Sequence, residues 1–262
     1  MRESVPIPVV ILCGGEGTRM GGAGETKKEL VPVGDRAIIW HVMRIFASFG
    51  HTDFILTLGH MAAEIRRYFL ELNASTRELT LALGGEDRIT FHRPPQEEGW
   101  RITMVDTGLM TKKGSRIGRV SRYLGKAEIF FVTYGDGVGD VDIDALLAFH
   151  RSHSRLATIT GVQPRSQYGL VEADQTGQVA GFDEKPRLDH WINGGFMVFQ
   201  REVLDYFHGD DVDLERDTLS ALAAAGELMM YRHSGYWRSM DTFKEAVELD
   251  AVWRERSPWK TW

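Results

Sequence analysis

Two short apolar runs, each followed by a helical pattern, limit the folds that this chain can adopt. The runs lie at residues 9–13 and 54–58, are rich in β-branched and aliphatic residues, and predict buried strands. The apolar residues of 38–46 recur at helical spacing and are followed by Gly50, which predicts a helix end, and residues 62–72 form a second helical pattern. Strand, helix, strand, helix is the order that a parallel sheet with crossover helices requires.

The rest of the chain extends this pattern after one irregular stretch. Residues 73–124 mix short extended pieces with polar turns and show no clean period. A gap of that length inside a compact domain predicts a functional insertion, such as a hairpin at the active site or at an oligomer contact. Further strands are predicted at 127–133, Ala157–Val162, Val179–Asp183, 195–200 and 228–231, and further helices at 142–150, 214–225 and 242–256.

These elements predict one α/β domain over residues 1–262. It is a Rossmann-like domain with a mixed, mostly parallel central sheet, flanked by helices and carrying a long inserted hairpin segment. Tryptophans accumulate late in the chain, at Trp237, Trp253, Trp259 and Trp262, where we expect them to pack in the core or at a subunit contact.

Charge and composition exclude several classes of function. The 262 residues carry a formal net charge of −6, so no overall positive field could hold a nucleic acid, and any phosphate site must be local. No apolar run approaches the roughly 20 residues that span a bilayer, so no membrane partner is expected. The single cysteine, Cys13, excludes a disulfide within the chain and fits a reducing compartment. We therefore expect the cytoplasm.

A glycine-rich loop follows the first predicted strand. Glycines let backbone N–H groups approach a polyphosphate closely, and an arginine adds a bidentate cation. The loop has neither the Walker spacing nor the G-x-G-x-x-G spacing, and a tight turn is the alternative reading. Its position at the carboxyl end of a strand favours ligand binding. The predicted nucleotide-binding residues here are Leu12, Cys13, Gly14, Gly15, Glu16, Gly17, Thr18 and Arg19.

The loop and several longer motifs together resemble the sugar-1-phosphate nucleotidyltransferase family. GGxGTR is followed by a lysine that precedes an apolar-Val-x-Val-Gly strand. The stretches WRITMVDTG (100–108), TYGDGV (133–138), INGGF (192–196) and SPWKTW (257–262) resemble one branch in particular, the glucose-1-phosphate cytidylyltransferases. The resemblance covers nearly the whole chain. It implies transfer of a nucleotidyl group from CTP to a sugar 1-phosphate, glucose 1-phosphate in particular, with Mg²⁺ as cofactor and pyrophosphate as the other product.

The family pattern also implies four catalytic residues: Arg19, Lys28, Asp136 and Asp241. The corresponding family stretch usually reads Lys-Pro-Lys-Pro-Met, and its second lysine contacts the triphosphate. Here both prolines are missing, and counting back from the following strand matches Lys28 rather than Lys27 to that lysine. Side chains of neighbouring residues in an extended segment face opposite ways, so only one of the two lysines can face the site. The alternative is a solvated charge cluster.

The resemblance assigns Mg²⁺ to the carboxylates of Asp136 and Asp241. Mg²⁺ prefers oxygen ligands and usually takes one or two carboxylates. The alternatives are an ordinary turn aspartate for Asp136 and a helix N-cap for Asp241.

Two further groups of residues match family contacts. Thr111, Arg116 and Gly135 fall on the nucleotide side, although Arg116 could equally be an exposed residue of a helical turn. On the sugar-phosphate side, Lys185 would neutralise the acceptor phosphate, and Glu184 and Asn193 would bond sugar hydroxyls. The full sugar-phosphate set is Tyr168, Gly169, Glu184, Lys185, Asn193 and Gly194.

Two alternative functions stay open at this level. The missing prolines and Leu30 in place of methionine mark divergence from the branch, so another nucleoside triphosphate, another sugar phosphate or a phosphonate could be the substrate. A non-catalytic sensor of sugar nucleotides is an alternative of a different class. We also expect a homo-oligomer, in which a neighbouring subunit could supply residues 111–116 to the site.

Overall fold

The computed structural model describes residues 6–16, 26–83, 88–166, 168–209 and 211–262. Its α-helices are α1 Ile38–Ser48, α2 Ala62–Thr76, α3 Lys113–Val120, α4 Ile143–His153, α5 Ser220–Ala224 and α6 Phe243–Glu255. Short 3-10 helices lie at Lys28–Leu30, Ser121–Leu124 and Arg201–Phe207, and a π-helix at Leu214–Leu219 leads into α5. The strands are β1 Val9–Leu12, β2 Pro32–Val33, β3 Arg36–Ala37, β4 Asp53–Leu58, β5 Leu79–Ala82, β6 Arg88–Phe91, β7 Arg101–Asp106, β8 Ile129–Tyr134, β9 Gly137–Gly139, β10 Ala157–Val162, β11 Leu170–Ala173, β12 Val179–Asp183, β13 Ile192–Asn193, β14 Met197–Gln200, β15 Leu228–His233 and β16 Trp237–Ser239.

The central sheet is mixed and mostly parallel, as predicted. Its order is β13-β10-β14-β8-β1-β4-β7, and β15 pairs with β10 outside this order. The strands β8, β1, β4 and β7 run parallel to one another, whereas β14 pairs antiparallel with both β8 and β10. The small pairs β2–β3, β5–β6, β9–β16 and β11–β12 lie outside this sheet.

Helices cover both faces of the sheet because strand side chains alternate between two apolar clusters. Val9 and Ile11 of β1 belong to a cluster with residues of α1, α4 and α6. Val10 and Leu12 belong to a second cluster with α3, α5 and the π-helix. A sheet buried on both faces reads as a continuous apolar run, which is how β1 reads in the sequence.

The irregular stretch of residues 73–124 contains two regular elements that the sequence analysis did not identify. β7 is the edge strand of the central sheet and pairs with β4 over its whole length, and α3 carries five buried residues. β7 lacks a clear apolar pattern because only one of its six side chains is fully buried. The β5–β6 hairpin in the same stretch agrees with the expected inserted hairpin.

Three of the four late tryptophans, Trp253, Trp259 and Trp262, pack around His41 of α1. Trp259 is fully buried, and its indole Nε1 donates to Nδ1 of His41 at 3.4 Å. The ring of Trp253 lies 4.5 Å from that of His41, centroid to centroid. The end of the chain is thereby attached to α1.

None of the helices in the described ranges combines the length and the apolar character needed to cross a membrane.

Candidate active site

The parallel strands β8, β1, β4 and β7 end along one edge of the sheet, where glycine-containing loops follow them. Gly14 and Gly15 follow β1, Gly59 follows β4, Gly108 comes shortly after β7, and Gly135 follows β8. Open α/β sheets bind ligands at this edge. Four of these five positions leave no room for a side chain: at Gly14, for example, an added Cβ would lie 2.2 Å from Arg116 Nη1, and at Gly59 it would lie 2.5 Å from the carbonyl oxygen of Gly14.

A cleft of about 460 Å³ opens at this edge. It joins the start of the glycine loop, both predicted metal-binding carboxylates and six of the twelve predicted nucleotide-binding residues. Its walls are Leu12, Gly14, Gly15, Lys28, Glu29, Thr111, Lys112, Lys113, Arg116, Tyr134, Asp136, Asp213 and Asp241. Gly17, Thr18 and Arg19 lie outside the described residues. Cys13 is buried behind the cleft, where its Sγ contacts the carbonyl oxygen of Thr57 at 3.5 Å, and Glu16 is exposed.

Asp136 and Asp241 reach the cleft together because the β9–β16 pair connects them. Asp136 precedes β9 and Asp241 follows β16, and these strands pair antiparallel with Gly137 opposite Ser239. The carbonyl oxygen of Asp136 also accepts the N–H of Met240 at 3.0 Å. The two carboxylates are therefore held at the same end of a short two-stranded ribbon.

The N-cap alternative for Asp241 is wrong. Thr242 is the N-cap of α6, and it forms a capping box with Glu245. The backbone N–H of Asp241 donates to Glu245 Oε2 at 2.7 Å, so Asp241 precedes the cap and its carboxylate faces the cleft.

Lys28 bridges the two carboxylates. Its Nζ lies 2.6 Å from Asp136 Oδ2 and 2.7 Å from Asp241 Oδ1. Burial disfavours the charged ammonium, but the two carboxylates outweigh this effect and raise the pKa of Lys28 above its ordinary value. The cleft therefore contains one cation and two anions within contact distance of one another.

Lys27 points the opposite way, so only one of the two lysines faces the cleft, as expected. The reason differs from the expected one, because Lys28 begins the 3-10 helix Lys28–Leu30 and the segment is not extended. Lys27 is 2% exposed, and its Nζ donates to the carbonyl oxygen of Gly15 and lies 3.4 Å from Glu29 Oε2. Burial raises the pKa of Glu29 to about 7 against the opposing charge of Lys27. The geometry thus presents Lys28, and not Lys27, to a ligand in the cleft.

Arg116 lies on α3 and is 3% exposed, so its alternative reading as an exposed helical residue is wrong. Its Nη1 donates to Leu58 O, Thr107 Oγ1 and Gly108 O, at 3.1, 2.7 and 2.8 Å. Its Nη2 donates to Gly14 O at 3.0 Å and to Leu109 O at 3.1 Å. The guanidinium borders the cleft but is already used to join three loops at the edge of the sheet.

Residues 111–116 reach the cleft of their own chain. Thr111 and Arg116 line the same walls as Gly14 and Gly15, and Thr111 Oγ1 accepts a hydrogen bond from Arg119 at 2.8 Å. A neighbouring subunit is therefore not required to supply this segment.

The described carboxylates fit a hard divalent cation. Among the residues that the structure describes, no group of three or more His, Cys, Asp or Glu side chains could hold a metal by itself. Asp136 and Asp241 form a pair of oxygen donors at the cleft, which matches a cation that completes its shell with waters and phosphate oxygens.

The comparisons with known proteins identify the family and the fold. The family model described as nucleotidyl transferase matches residues 8–251. The chain belongs to this family. Two proteins named glucose-1-phosphate cytidylyltransferase, from Salmonella typhi and Salmonella typhimurium, are each 39% identical over 256 residues, which is 97% of this chain and 98% of either relative. Among solved structures, HddC from Yersinia pseudotuberculosis has the same fold, with a TM-score of 0.70 and 19% identity over 94% of this chain and 99% of its own.

The predicted sugar-phosphate residues of this nucleotidyltransferase form two groups. Asn193 contacts a wall residue of the cleft, because its Nδ2 donates to the hydroxyl of Tyr134 at 3.2 Å. The carbonyl oxygen of the next residue, Gly194, accepts the indole N–H of Trp237 at 2.7 Å. Gly169 and Glu184 are neighbours on the β11–β12 hairpin, where Tyr168 is 77% exposed and Lys185 has a positive φ of 51°. None of these six residues lines the cleft itself.

A polar network beside Asn193 was not predicted from the sequence. The hydroxyl of Tyr134 donates to Glu215 Oε1 at 2.7 Å, and Lys113 forms an ion pair with the same carboxylate. Burial is the largest cause that raises the pKa of Tyr134 well above its usual range, and the negative charge of Glu215 is the second. Glu215 lies within the helix predicted at 214–225, but the sequence does not indicate that its first part is a π-helix, a type that is frequent at functional sites. Only proximity in the fold reveals these residues.

Proposed function

We propose that this nucleotidyltransferase transfers the cytidylyl group of CTP to glucose 1-phosphate, which yields CDP-glucose and pyrophosphate. One observation carries the proposal: Lys28 is held between Asp136 and Asp241 directly beside the Gly14–Gly15 loop, in a cleft large enough for a nucleotide. The two Salmonella relatives are named for activity with CTP and glucose 1-phosphate, which supports this choice of substrates.

The proposed cofactor is Mg²⁺, held by Asp136 and Asp241. When bound, the cation would neutralise phosphate charge during the displacement and help to orient the phosphates. Lys28 lies in the same space and would exchange its contacts with the carboxylates for contacts with phosphate oxygens.

The reaction needs charge neutralisation and alignment more than proton transfer. A phosphate oxygen of the acceptor attacks the α-phosphorus of the nucleotide, a new P–O bond forms, and the bond to the leaving pyrophosphate breaks. The nucleophile is already an anion, so no general base is required. Lys28 would offset the charge of the triphosphate, and Arg19 is proposed to do the same.

The acceptor would lie on the side of Tyr134 and Asn193. Glu184 and Asn193 are proposed to bond sugar hydroxyls, Lys185 to neutralise the acceptor phosphate, and Tyr168 with Gly169 to border the sugar ring. The Tyr134–Asn193 hydrogen bond supports this arrangement, because it links the proposed sugar residues to the wall of the nucleotide cleft. The same proposal includes a cytoplasmic location.

A screen of pyrophosphate release tests the function. The purified chain is incubated with Mg²⁺, with each of CTP, UTP, dTTP, GTP and ATP, and with a set of sugar phosphates and a phosphonate. A cytosine offers an amino donor where uracil and thymine offer a carbonyl, and a site built for one group can reject the mismatched analogue by roughly 10⁴-fold. We therefore expect CTP with glucose 1-phosphate to dominate.

Each other outcome contradicts a defined part of the proposal. Equal rates with CTP and dTTP would exclude base selectivity, and faster turnover of another sugar phosphate or a phosphonate would replace the acceptor. Tight binding of CDP-glucose without turnover of any pair would instead indicate a sensor.

A further inference from the structure

Two buried cations hold the carbonyl groups of the glycine loop. Arg116 Nη2 donates to Gly14 O at 3.0 Å, and the Nζ of Lys27 donates to Gly15 O. The N–H of His60 also donates to Gly14 O, at 3.1 Å. Arg116 and Lys27 are 3% and 2% exposed, so both carbonyls are bound from the interior of the protein.

Because these carbonyl groups point inward, the N–H groups of the same peptide units point outward. A trans peptide places its C=O and N–H on opposite sides, and the described part of the chain contains no cis peptide bond. With the carbonyls of Gly14 and Gly15 turned inward, the N–H groups of Gly15 and Glu16 turn away from the two cations. Gly15 and Glu16 are both exposed, and Gly15 lines the cleft. Successive N–H groups that point the same way form an anion-binding concavity.

Net stabilisation of the fold does not account for the buried Lys27–Glu29 ion pair. A buried ion pair seldom stabilises more than apolar side chains of similar volume, because desolvation offsets the attraction. Glu29 Oε2, 3.4 Å from Lys27 Nζ, has no hydrogen-bond partner. The ammonium directs a hydrogen bond to Gly15 O instead, and Glu29 supplies the compensating charge beside it.

We propose that Lys27 is a positioning residue: by holding the carbonyl of Gly15, it orients the N–H of Glu16 toward the polyphosphate of the nucleotide. It does not contact the ligand. Arg116 holds the preceding carbonyl in the same way, so the two cations together set the orientation of two consecutive peptide groups. This inference rests on the proposed function, since it takes the cleft to bind a nucleoside triphosphate.

The test compares Lys27→Met with a double variant in which Glu29→Gln is added. The dissociation constants of CTP and of inorganic tripolyphosphate are measured by calorimetry, together with the melting temperature at pH 8. Lys126→Met, which removes an exposed lysine remote from the cleft, is the matched control. Loss of a hydrogen bond to a charged group predicts binding roughly 10- to 100-fold weaker for both ligands in Lys27→Met. The dissociation constant of glucose 1-phosphate should stay at the parental value.

The double variant separates positioning from simple stabilisation. Removal of Lys27 alone leaves a buried carboxylate without its counter-charge and should lower the melting temperature, and the added Glu29→Gln should restore it. We expect nucleotide binding to stay weak in the double variant, because no group replaces Lys27 at Gly15 O. Recovery of both melting temperature and binding would overturn the proposal, as would parental binding in Lys27→Met.

The proposed function can fail separately. A parental chain that binds tripolyphosphate but releases no pyrophosphate with any substrate pair would overturn the activity and leave the Lys27 comparison intact. Parental turnover with unchanged binding in Lys27→Met would overturn the role of Lys27 alone. A parental chain that binds neither CTP nor tripolyphosphate would overturn both.

Discussion

At the scale of single residues, the two carboxylates of the cleft carry the clearest prediction. Asp136→Asn and Asp241→Asn each remove one negative charge from the proposed metal pair while conserving the shape of the side chain. We expect kcat to fall by about 100-fold or more in each variant, because one preorganised electrostatic contact is lost. Binding of Mn²⁺, followed by electron paramagnetic resonance without nucleotide, should weaken as well. Near-parental rates in both variants at saturating Mg²⁺ would refute the metal assignment, provided that thermal unfolding shows both to be folded.

The adjacent lysines predict different kinetic defects. Lys28→Ala removes the cation that faces the cleft, so kcat at saturating CTP should fall by about 100- to 1,000-fold. Lys27→Ala should retain a kcat close to that of the parent at saturating CTP and show its defect in KM for CTP. Steady-state kinetics over a range of CTP concentrations distinguishes the two. If Lys27→Ala lowers kcat more than Lys28→Ala does, then Lys27 rather than Lys28 contacts the phosphates.

At these same positions the sequence predicts one part of the site and leaves another part unpredicted. Counting from the following strand selects Lys28, and the alternation of side chains in an extended segment predicts that only one lysine faces the cleft. The contact that Lys27 makes cannot be predicted in this way, because its partner is the carbonyl oxygen of Gly15, 12 residues earlier in the chain. Arg116 illustrates the same limit: two of its five acceptors, the carbonyl oxygens of Leu58 and Gly14, lie 58 and 102 residues away in the sequence, and a helical period does not predict them.

At the scale of elements, the packing of α6 and the following residues on α1 predicts an acid sensitivity. His41 is fully buried among tryptophans, and burial lowers its pKa to about 4, although the carbonyl of Val33 and the charge of Asp35 partly offset this effect. Above pH 6.5 the imidazole is neutral in both the folded and the unfolded chain. Between pH 6.5 and 4 the unfolded chain binds a proton that the folded protein excludes, so the free energy of unfolding decreases as the pH falls.

His41→Gln tests this linkage by removing the titrating group. The stability advantage of the parent over the variant should be about 2 kcal/mol smaller at pH 5 than at pH 7, as measured by urea unfolding. The exposed His190 provides the control, since His190→Gln should leave the pH dependence of the parent unchanged. A pH-independent difference between the parent and His41→Gln would show that the imidazole does not carry the effect.

Most of the elements that the sequence predicted are buried on a defined face. β1, β4 and α1 are almost entirely buried, and their patterns predict them closely. The π-helix and α5 together coincide with the helix predicted at 214–225, although the π-helical turn was not expected. β7 and β11 were not predicted, because β7 lies at the edge of the sheet and all four side chains of β11 are exposed. β12 is an exception, since it was predicted at its observed bounds although four of its five residues are exposed. Solvent exposure therefore weakens the hydrophobic signal without always removing it.

At the scale of the whole molecule, exposed apolar residues support the expected homo-oligomer. Leu170, Val171, Val179 and Phe182 of the β11–β12 hairpin are between 46% and 66% exposed. Contiguous exposed apolar side chains are typical of protein–protein contacts. We expect light scattering to give a mass that is a multiple of the 29.6 kDa chain.

Replacement of hairpin side chains tests which surface is responsible. The double variant Val171→Ser and Phe182→Ser should shift the mass toward that of a single chain. Leu70→Ser on α2 is the matched control, because Leu70 is an exposed apolar residue outside that hairpin, and its removal should leave the assembly unchanged. A parental mass equal to one chain would refute the expectation of an oligomer.

The contact between Lys28 and Asp241 has a consequence during synthesis on the ribosome. The two residues are separated by 213 positions. At elongation rates of about 5–20 residues per second, Asp241 is made roughly 10 to 40 s after Lys28. In about the second half of that interval, after Asp136 has been made, the nascent chain contains the glycine loop, Lys28 and Asp136, but it lacks the second carboxylate of the proposed metal pair. A chain that stalls or is cleaved between Asp136 and β16 would therefore carry much of the nucleotide cleft without the means to turn a nucleotide over.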